Sequence, residues 1–415
     1  MKDTTQMKSL TKLYLNKAEP RQANIIIPGS KSESNRLIIL SSLFENIYLN
    51  NISNSDDTNY LLNAIKTKSK VINVGHAGTA MRFLTSYLCL ITQADIRLTG
   101  SERMHNRPIK ILVDSLKQIG ASVEYIEKEG YPPLLIRPSK LYKKKLRIDR
   151  SKSSQYISSL LLIAPKIKGG LEIQLVGRET SKPYIDMTVG LLKKIGVKII
   201  SKKNYFKIFE LQKINPIKFS IESDWSSASY FYSIVAMAEI GYSLTLSKFN
   251  KSSSQGDSKI AEIYKVFGVK TICEGQIIKL EKIKSNIDKF TYDLSSNPDL
   301  AQTISVTCLG LGYSCNLKGL HTLKIKETDR LLALRNELSK FGLKVTINED
   351  SISFTKNKDF LKPNVVIETY DDHRMAMSFA CLAIKTNIII CNPSVVTKSY
   401  KSFWSDLEKI GIISQ

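Results

Sequence analysis

A short pattern that ends on glycine returns five times along the chain and constrains its fold more than any other feature. In each copy an amphipathic helical stretch runs into a glycine, which can adopt the left-handed conformation that closes a helix. An alternating run typical of a half-buried strand, such as Val123–Ile126, follows each of the first four glycines. The five are Gly120, Gly196, Gly268, Gly342 and Gly411, at intervals of 76, 72, 74 and 69 residues.

The near-constant spacing indicates a repeated structural unit. A unit of about 70 residues fits five to six times into the 415-residue chain. It is longer than the roughly 20–50 residues of solenoid repeats. The sequence therefore predicts an α/β architecture assembled from copies of a small helix-and-sheet module.

The net charge of +23, from 61 Lys+Arg against 38 Asp+Glu, is spread along the whole chain. Lys143–Lys145 is the only run of three cations, whereas a nucleic-acid-binding face clusters its cations on one helix or strip. We therefore expect no nucleic-acid partner. A diffuse basic surface still attracts small anions.

Other classes of protein are disfavoured by what the sequence lacks. The six cysteines form no CxxC pair, and the four histidines are scattered, so no metal site is expected. The first ten residues hold no apolar run of a secretory signal, and Glu239 interrupts the longest apolar stretch, residues 231–246. These features predict a cytoplasmic protein with no membrane contact.

Arginine is informative here because the chain has only 13 arginines against 48 lysines. The planar guanidinium binds carboxylate or phosphate through two parallel hydrogen bonds, which lysine cannot do. A surface ion pair is the alternative for any single arginine. Six of them lie in unusual segments rich in small and acidic residues: Arg36, Arg82, Arg103, Arg107, Arg330 and Arg374.

Each unusual segment has a chemical interpretation and a structural alternative. Residues 28–36 (PGSKSESNR) and 75–82 (GHAGTAMR) are small-residue loops that enter helices, where free amides favour anions. Residues 151–155 (SKSSQ) offer hydroxyls to phosphate oxygens, or an ordinary helix cap. Residues 326–330 (KETDR) and 371–377 (DDHRMAM) set acids beside cations, which suits either ion pairing or proton transfer.

Taken in order, these segments together with DWSSASYF at 224–231 closely resemble the 5-enolpyruvylshikimate-3-phosphate synthase family, from about Ile25 to the C-terminus. A wider group of enolpyruvyl transferases acts on UDP-N-acetylglucosamine and carries a reactive cysteine a few residues before an Arg-Pro. Here Ser101 and Glu102 precede Arg107-Pro108, and the nearest cysteine is Cys89. The resemblance is therefore to the shikimate branch, with the nucleotide-sugar transferases and a non-catalytic anion-binding protein as alternatives.

The resemblance implies a two-domain α/β (α+β) fold, an inside-out α/β barrel. Each domain would contain three repeats of a βαβαββ-like unit, and the active site would lie in the interdomain cleft. The expected domains are a discontinuous one, 1–28 plus 223–415, and an inserted one, 29–222.

The resemblance also implies the reaction: transfer of the enolpyruvyl group of phosphoenolpyruvate to shikimate 3-phosphate in chorismate and aromatic amino acid biosynthesis, by a monomer without a cofactor. Lys31, Asp299 and Glu327 would be catalytic. The 3-phosphoshikimate site would comprise Lys31, Ser32, Arg36, Ser153, Ser154, Gln155, Ser181, Asp299 and Lys326. The phosphoenolpyruvate site would comprise Lys31, Gly78, Arg107, Gln155, Arg330, Arg374 and Lys398. His76 and Thr322 stand where many or some members carry asparagine, which puts substrate contacts in question more than the reaction.

Overall fold

The computed structural model describes residues 9–16, 23–355 and 361–415, which form two compact units. The discontinuous unit comprises the described residues up to Ile27, Ser223–Ser253 and residues from Asp257 onward. The inserted unit comprises Pro28–Glu222 and Ser254–Gly256. Each has its own hydrophobic core.

The inserted unit alternates strands and helices. Its helices are α1 (Lys31–Leu43), α2 (Asp56–Lys66), α3 (Gly78–Ile91), α4 (Glu102–His105), α5 (Lys110–Gln118), α6 (Ser154–Ile163) and α7 (Lys182–Lys194). Its strands are β3 (Ile47–Asn50), β4 (Val71–Asn73), β5 (Ile96–Thr99), β6 (Ser122–Tyr125), β7 (Leu134–Arg137), β8 (Lys145–Asp149), β9 (Leu171–Val176), β10 (Ile199–Lys202), β11 (Tyr205–Ile208) and β12 (Ile217–Ser220).

The discontinuous unit follows the same alternation. Its helices are α8 (Trp225–Met237), α9 (Ile260–Lys265), α10 (Ala301–Leu311), α11 (Arg330–Ser339), α12 (His373–Ala380) and α13 (Phe403–Glu408). Its strands are β1 (Leu10–Leu15), β2 (Asn24–Ile26), β13 (Ser243–Ser247), β14 (Val269–Glu274), β15 (Ile277–Lys282), β16 (Lys289–Asp293), β17 (Ser314–Lys318), β18 (Val345–Ile347), β19 (Ile352–Phe354), β20 (Val365–Ile367), β21 (Ile388–Cys391) and β22 (Ile412–Ser414).

Five four-stranded sheets share one strand order, which confirms the predicted repeat. In β4-β5-β7-β6 the first two strands are parallel and the last two form an antiparallel hairpin. The sheets β8-β9-β11-β10, β2-β13-β15-β14, β16-β17-β19-β18 and β20-β21-β1-β22 have the same order. The five glycines of the sequence pattern each end the second helix of a module, with φ between 76° and 108°.

The sixth module differs from the other five. It consists of α1, α2 and a two-stranded parallel sheet, β3 with β12. The discontinuous unit therefore has three four-stranded modules, whereas the inserted unit has two and a shorter third. The repeated βαβαββ-like α/β fold is confirmed, with this one module reduced.

Two modules of the discontinuous unit are completed by strands from the beginning of the chain. β2 pairs in parallel with β13, and β1 lies between β21 and β22. Because β1 pairs with a segment nearly 400 residues later, no local sequence pattern could have assigned it to that sheet.

Within the described ranges, no helix combines the length and apolar character needed to cross a bilayer.

Candidate active site

Several of the predicted site residues lie at the beginnings of helices. Lys31 begins α1, Gly78 begins α3, Ser154 begins α6 and Arg330 begins α11. In an α/β fold these positions follow the carboxyl ends of strands, where ligands usually bind. Free amides and the helix dipole there favour anionic ligands.

The first turns of α1 hold a lysine and an arginine with different surroundings. Lys31 Nζ lies 3.1 Å from Asp57 Oδ2, and its side chain keeps some exposure. Arg36 is 2% exposed and donates to Thr188 Oγ1 at 2.7 Å, Ser158 Oγ at 3.1 Å and two backbone oxygens. Burial lowers the pKa of Arg36 to about 10, so it remains charged at neutral pH.

Arg36 connects three helices that carry predicted shikimate 3-phosphate contacts. Its guanidinium binds the carbonyl of Ser32 on α1 at 2.7 Å and side chains on α6 and α7. Four of the five N–H groups of an arginine are engaged in this way. The structure therefore gives Arg36 a clear role in joining α1 to α6 and α7.

The hydroxyl-rich segments also occupy helix starts. Ser153 caps α6 by accepting from the amide of Gln155, and Gln155 Nε2 donates to Thr79 Oγ1 at 3.2 Å, which ties α6 to α3. Ser181 precedes α7 with φ 51°, a left-handed conformation that is unusual for serine. Such strain is often found at ligand sites.

Gly78 lies against two arginines. Its absent Cβ would fall 2.7 Å from Arg107 Cζ and 2.7 Å from Arg82 Nη1. Arg82 also donates to the Gly78 carbonyl at 2.8 Å. The sequence analysis singled out Arg82 because arginines are few in this chain, but left it outside both predicted substrate sites. The structure places it beside Gly78, a residue of the predicted phosphoenolpyruvate site.

Glu33, in the first turn of α1, is a buried acid that the sequence analysis did not single out. Burial, and next the charge of Glu222, raise its pKa to about 7, while Lys194 and Arg36 act in the opposite direction. The folded protein thus binds a proton at Glu33 more tightly than the unfolded chain does. The contribution of Glu33 to the free energy of unfolding is therefore greatest below about pH 4.5, and it is lost as the pH rises toward 7.

Glu33→Gln is therefore expected to stabilise the protein at pH 8 by up to roughly 3 kcal/mol and to have little effect near pH 4.5. The amide carries no charge that burial can penalise. Thermal unfolding at both pH values measures the effect, with Glu45→Gln in the exposed turn after α1 as the control. A gain of equal size at both pH values would contradict the expectation.

Seven charged residues of the discontinuous unit form a connected group that we call the Asp299 cluster. Arg330 Nη1 and Arg374 Nη2 bind the two oxygens of Asp299 at 3.0 and 3.2 Å. Lys326 Nζ lies 3.5 Å from Asp299, and Lys398 Nζ lies 3.5 Å from Glu327. The members are Asp299, Lys326, Glu327, Arg330, Asp372, Arg374 and Lys398, four cations and three carboxylates.

The cluster favours the ionised forms of two of its members, Asp299 and Arg330. Burial by itself would raise the pKa of Asp299, but the charges of Arg374, Lys326 and Arg330 outweigh it and hold the pKa well below its usual range. Burial likewise opposes the charge of Arg330, and Asp372, Glu327 and Asp299 together raise its pKa above the ordinary value. An anionic ligand that engages these cations would change the environment of Asp299 directly.

Two acids of this region, Asp372 within the cluster and Asp257 beside it, were not predicted as site residues. Asp372 accepts from Arg330 Nε at 2.6 Å and from the amide of Arg374 at 2.8 Å. Asp257 is buried against Ser226 and Asn297, and burial and the charge of Asp299 raise its pKa. The DDHR motif could have indicated Asp372, whereas no local pattern marks Asp257.

His76 and Thr322, the two residues that depart from the family pattern, lie in different structural environments. His76 is exposed in the turn before α3, and its ring lies edge-on to Tyr60 at 6.3 Å. Thr322 is buried in the 3-10 helix His321–Ile325, and its hydroxyl makes no hydrogen bond with the described residues. Among those residues, no group of three or more His, Cys, Asp or Glu is arranged to hold a metal ion.

Comparison with known proteins decides between the alternatives. Residues 61–407 match the family model of EPSP synthase (3-phosphoshikimate 1-carboxyvinyltransferase). The chain belongs to the EPSP synthase family. It is an enzyme of the shikimate pathway, and the prediction of a 3-phosphoshikimate 1-carboxyvinyltransferase is confirmed and favoured over the nucleotide-sugar and non-catalytic alternatives.

Similar proteins support the same family. A 3-phosphoshikimate 1-carboxyvinyltransferase of Bacteroides fragilis (strain YCH46) is 41% identical over 393 residues, covering 94% of this chain and 95% of the relative. A 3-phosphoshikimate 1-carboxyvinyltransferase of Histophilus somni (strain 2336) is 36% identical over 434 residues, covering 97% of this chain and 99% of the relative.

Solved structures with low sequence identity share the fold of this EPSP synthase family member. The EPSP synthase from Acinetobacter baumannii aligns with a TM-score of 0.77 at 21% identity, over 98% of this chain and 99% of that one. The enolpyruvyl transferase NikO from Streptomyces tendae aligns with a TM-score of 0.75 at 11% identity, with the same coverage.

Proposed function

We propose that the Asp299 cluster carries the proton transfers of the reaction and binds phosphoenolpyruvate. The reaction transfers the enolpyruvyl group of phosphoenolpyruvate to the 5-hydroxyl of shikimate 3-phosphate and releases phosphate. The 5-hydroxyl adds to C2 of phosphoenolpyruvate while C3 takes up a proton, which gives a tetrahedral intermediate. Loss of a proton from C3 then expels phosphate and restores the double bond.

The observation that carries the proposal is the convergence of Arg330 and Arg374 on Asp299. Phosphoenolpyruvate brings a carboxylate and a phosphate, which bind guanidinium groups as Asp299 does. When the substrate takes over these contacts, less positive charge is left for Asp299 and its pKa rises. The carboxylate then becomes a better base for the 5-hydroxyl, at the moment when a base is needed.

Glu327 is the proposed proton donor to C3. Its Oε2 accepts from Arg330 Nη2 at 2.8 Å, and its Oε1 lies 3.5 Å from Lys398 Nζ. Both cations also belong to the proposed phosphoenolpyruvate site, so binding would place the methylene carbon near this carboxyl group. Lys398 is almost fully buried, which strengthens its interaction with an anion.

Shikimate 3-phosphate is proposed to bind to Lys31, Ser32, Arg36, Ser153, Ser154, Gln155, Ser181, Asp299 and Lys326. In addition, Lys31, Gly78, Arg107 and Gln155 are assigned to phosphoenolpyruvate. The support is that Lys31 and Ser32, Ser153–Gln155 and Ser181 lie at the starts of α1, α6 and α7, whose amides favour phosphate oxygens.

The direct test is release of phosphate by the purified protein. We expect release only when shikimate 3-phosphate and phosphoenolpyruvate are both present. UDP-N-acetylglucosamine replaces shikimate 3-phosphate in the control reaction and should give none. Absence of release with the correct pair at every salt concentration and pH tested would exclude the assignment.

Gly78→Ala is expected to raise the KM for phosphoenolpyruvate by about tenfold and to change kcat much less. The added methyl group would displace the Arg107 and Arg82 guanidiniums that lie against this position. Steady-state kinetics with each substrate varied separately measures the effect. Gly190→Ala is the control, because its added methyl group would meet no other described atom within 4 Å, apart from its chain neighbours and the backbone of its own helix. An unchanged KM for phosphoenolpyruvate would remove Gly78 and Arg107 from its site.

We further propose that the enzyme acts as a monomer in the cytoplasm. The six cysteines are all free thiols, five of them buried, which suits a reducing compartment. Sedimentation at assay concentration tests the oligomeric state, and a dimer mass would contradict it.

A further inference from the structure

Helix α11 holds one short turn of the discontinuous unit at two points. Arg330 at the start of α11 donates to Asp372 Oδ2 at 2.6 Å. Glu337, seven residues later on the same face of the helix, accepts from the hydroxyl of Tyr370 at 2.7 Å. The turn Thr369–Asp372 is thus held by a single helix at its second residue, Tyr370, and at its last residue, Asp372.

The turn has a strained backbone. The amide of Asp372 donates to the carbonyl of Thr369 at 2.9 Å, and the two central residues, Tyr370 and Asp371, both have φ 53°. Left-handed φ at both central positions is the pattern of a type I′ turn, which favours glycine and asparagine. A tyrosine there costs energy and persists only when the surrounding structure fixes it.

Glu337 is well suited to fix this conformation. It is fully buried, and its Oε2 accepts from Lys340 Nζ at 2.5 Å and from the amide of Glu368 at 3.0 Å. Its Oε1 accepts from Tyr370. Burial, and next the hydrogen bond to Glu337, raise the pKa of Tyr370 to about 12, so the hydroxyl keeps its proton throughout the range of enzyme assays.

The turn Thr369–Asp372 also positions three members of the Asp299 cluster. Asp372 caps α12 at the amide of Arg374, whose guanidinium binds Asp299. Asp371 Oδ1 accepts from Asn392 Nδ2 at 3.1 Å, immediately before the 3-10 helix Pro393–Lys398. A shift of the turn would therefore move Asp372, Arg374 and Lys398 together.

We propose that Glu337 and Tyr370 are positioning residues for enolpyruvyl transfer, whose hydrogen bond holds the turn Thr369–Asp372 so that Arg374 and Lys398 are aimed at phosphoenolpyruvate. This inference rests on the proposed assignment of Arg330, Arg374 and Lys398 to that substrate. Neither Glu337 nor Tyr370 touches a reacting atom in this scheme.

The test is the kinetics of Tyr370→Phe, which removes only the hydroxyl. We expect kcat/KM for phosphoenolpyruvate to fall by about tenfold, with the KM for shikimate 3-phosphate changed by less than about twofold. Glu337→Leu, which has a similar size but no acceptor for the Tyr370 hydroxyl, should show the same split. The double variant should lose little more kcat/KM than Glu337→Leu alone, because both substitutions remove the same hydrogen bond. Additive losses would overturn the proposal.

A second substitution separates the hydrogen bond from the backbone strain. Tyr370→Asn also removes the hydroxyl, but asparagine tolerates the left-handed conformation. If the hydrogen bond positions the turn, Tyr370→Asn loses activity as Tyr370→Phe does, whatever its thermal stability. Wild-type kcat/KM in Tyr370→Asn would show that local backbone preference suffices and would overturn the role of Glu337.

Two further variants make the outcomes distinguishable. Tyr232→Phe removes another buried hydroxyl of the same unit, bonded to Thr271 at 3.0 Å, and should keep wild-type kinetics. Arg374→Ala tests the underlying assignment. Normal use of phosphoenolpyruvate by Arg374→Ala would refute the proposed site itself. An impaired Arg374→Ala together with a fully active Tyr370→Phe would refute only the positioning role.

Discussion

Asp299→Asn is expected to lower kcat by about 10²–10⁴-fold while the KM for phosphoenolpyruvate stays the same or falls. Asparagine keeps the size of the side chain but cannot accept the proton of the 5-hydroxyl. The substitution also removes one negative charge from the Asp299 cluster, so Arg330 and Arg374 become more available to an anionic substrate. Steady-state kinetics with phosphoenolpyruvate varied at saturating shikimate 3-phosphate separates the two effects.

The split between kcat and KM distinguishes a base from a structural anchor. If Asp299 served only to hold the two arginines in place, its loss would mainly weaken the binding of phosphoenolpyruvate. Asp293→Asn is the matched control, since Asp293 is an exposed acid six residues away at the end of β16. A rise in KM with an unchanged kcat in Asp299→Asn would contradict the proposed base.

Glu327→Gln is expected to reduce kcat by a similar factor, about 10²–10⁴, because an amide cannot deliver a proton to C3. Glutamine has the same volume and retains an oxygen that accepts from Arg330 Nη2. Incubation with both substrates in D₂O gives a second readout. Protonation and deprotonation of C3 exchange its hydrogens with solvent, so deuterium incorporation into phosphoenolpyruvate should fall in parallel with kcat.

The control for Glu327 is another acid paired with a lysine. Glu349 lies 3.0 Å from Lys324 on the surface, and Glu349→Gln should keep wild-type turnover and exchange. Circular dichroism and thermal unfolding confirm that each variant is folded. Wild-type kcat in both Asp299→Asn and Glu327→Gln would refute the assigned acid–base pair.

The module was predictable because helix closure and strand alternation are local properties. Gly120 and Gly342 end their helices with φ 108° and 80°, as the pattern requires, and strands β6 and β18 follow. The reduction of the module around β3 and β12 was not predictable, because the two strands are separated by more than 160 residues. Their pairing depends on a contact that no window of sequence contains.

The candidate site was likewise predictable only in part. The KETDR and DDHR segments indicated charged chemistry, because acids beside arginines are visible in the sequence itself. The residues that pair with those arginines could not be identified from the sequence. Arg330 binds Asp299 and Asp372, which lie 31 and 42 residues away, and only folding brings them together.

By itself the sequence determined the repeated α/β module, the family and the residue types available for chemistry, because each of these is written in short segments. The tertiary structure alone decided the electrostatic state of those residues. It raised the pKa of Glu33, lowered that of Asp299 and hid Glu337 beneath the turn at Tyr370. The physical reason is that burial and Coulomb interactions depend on distances in space, and these are set by elements remote from one another in the chain.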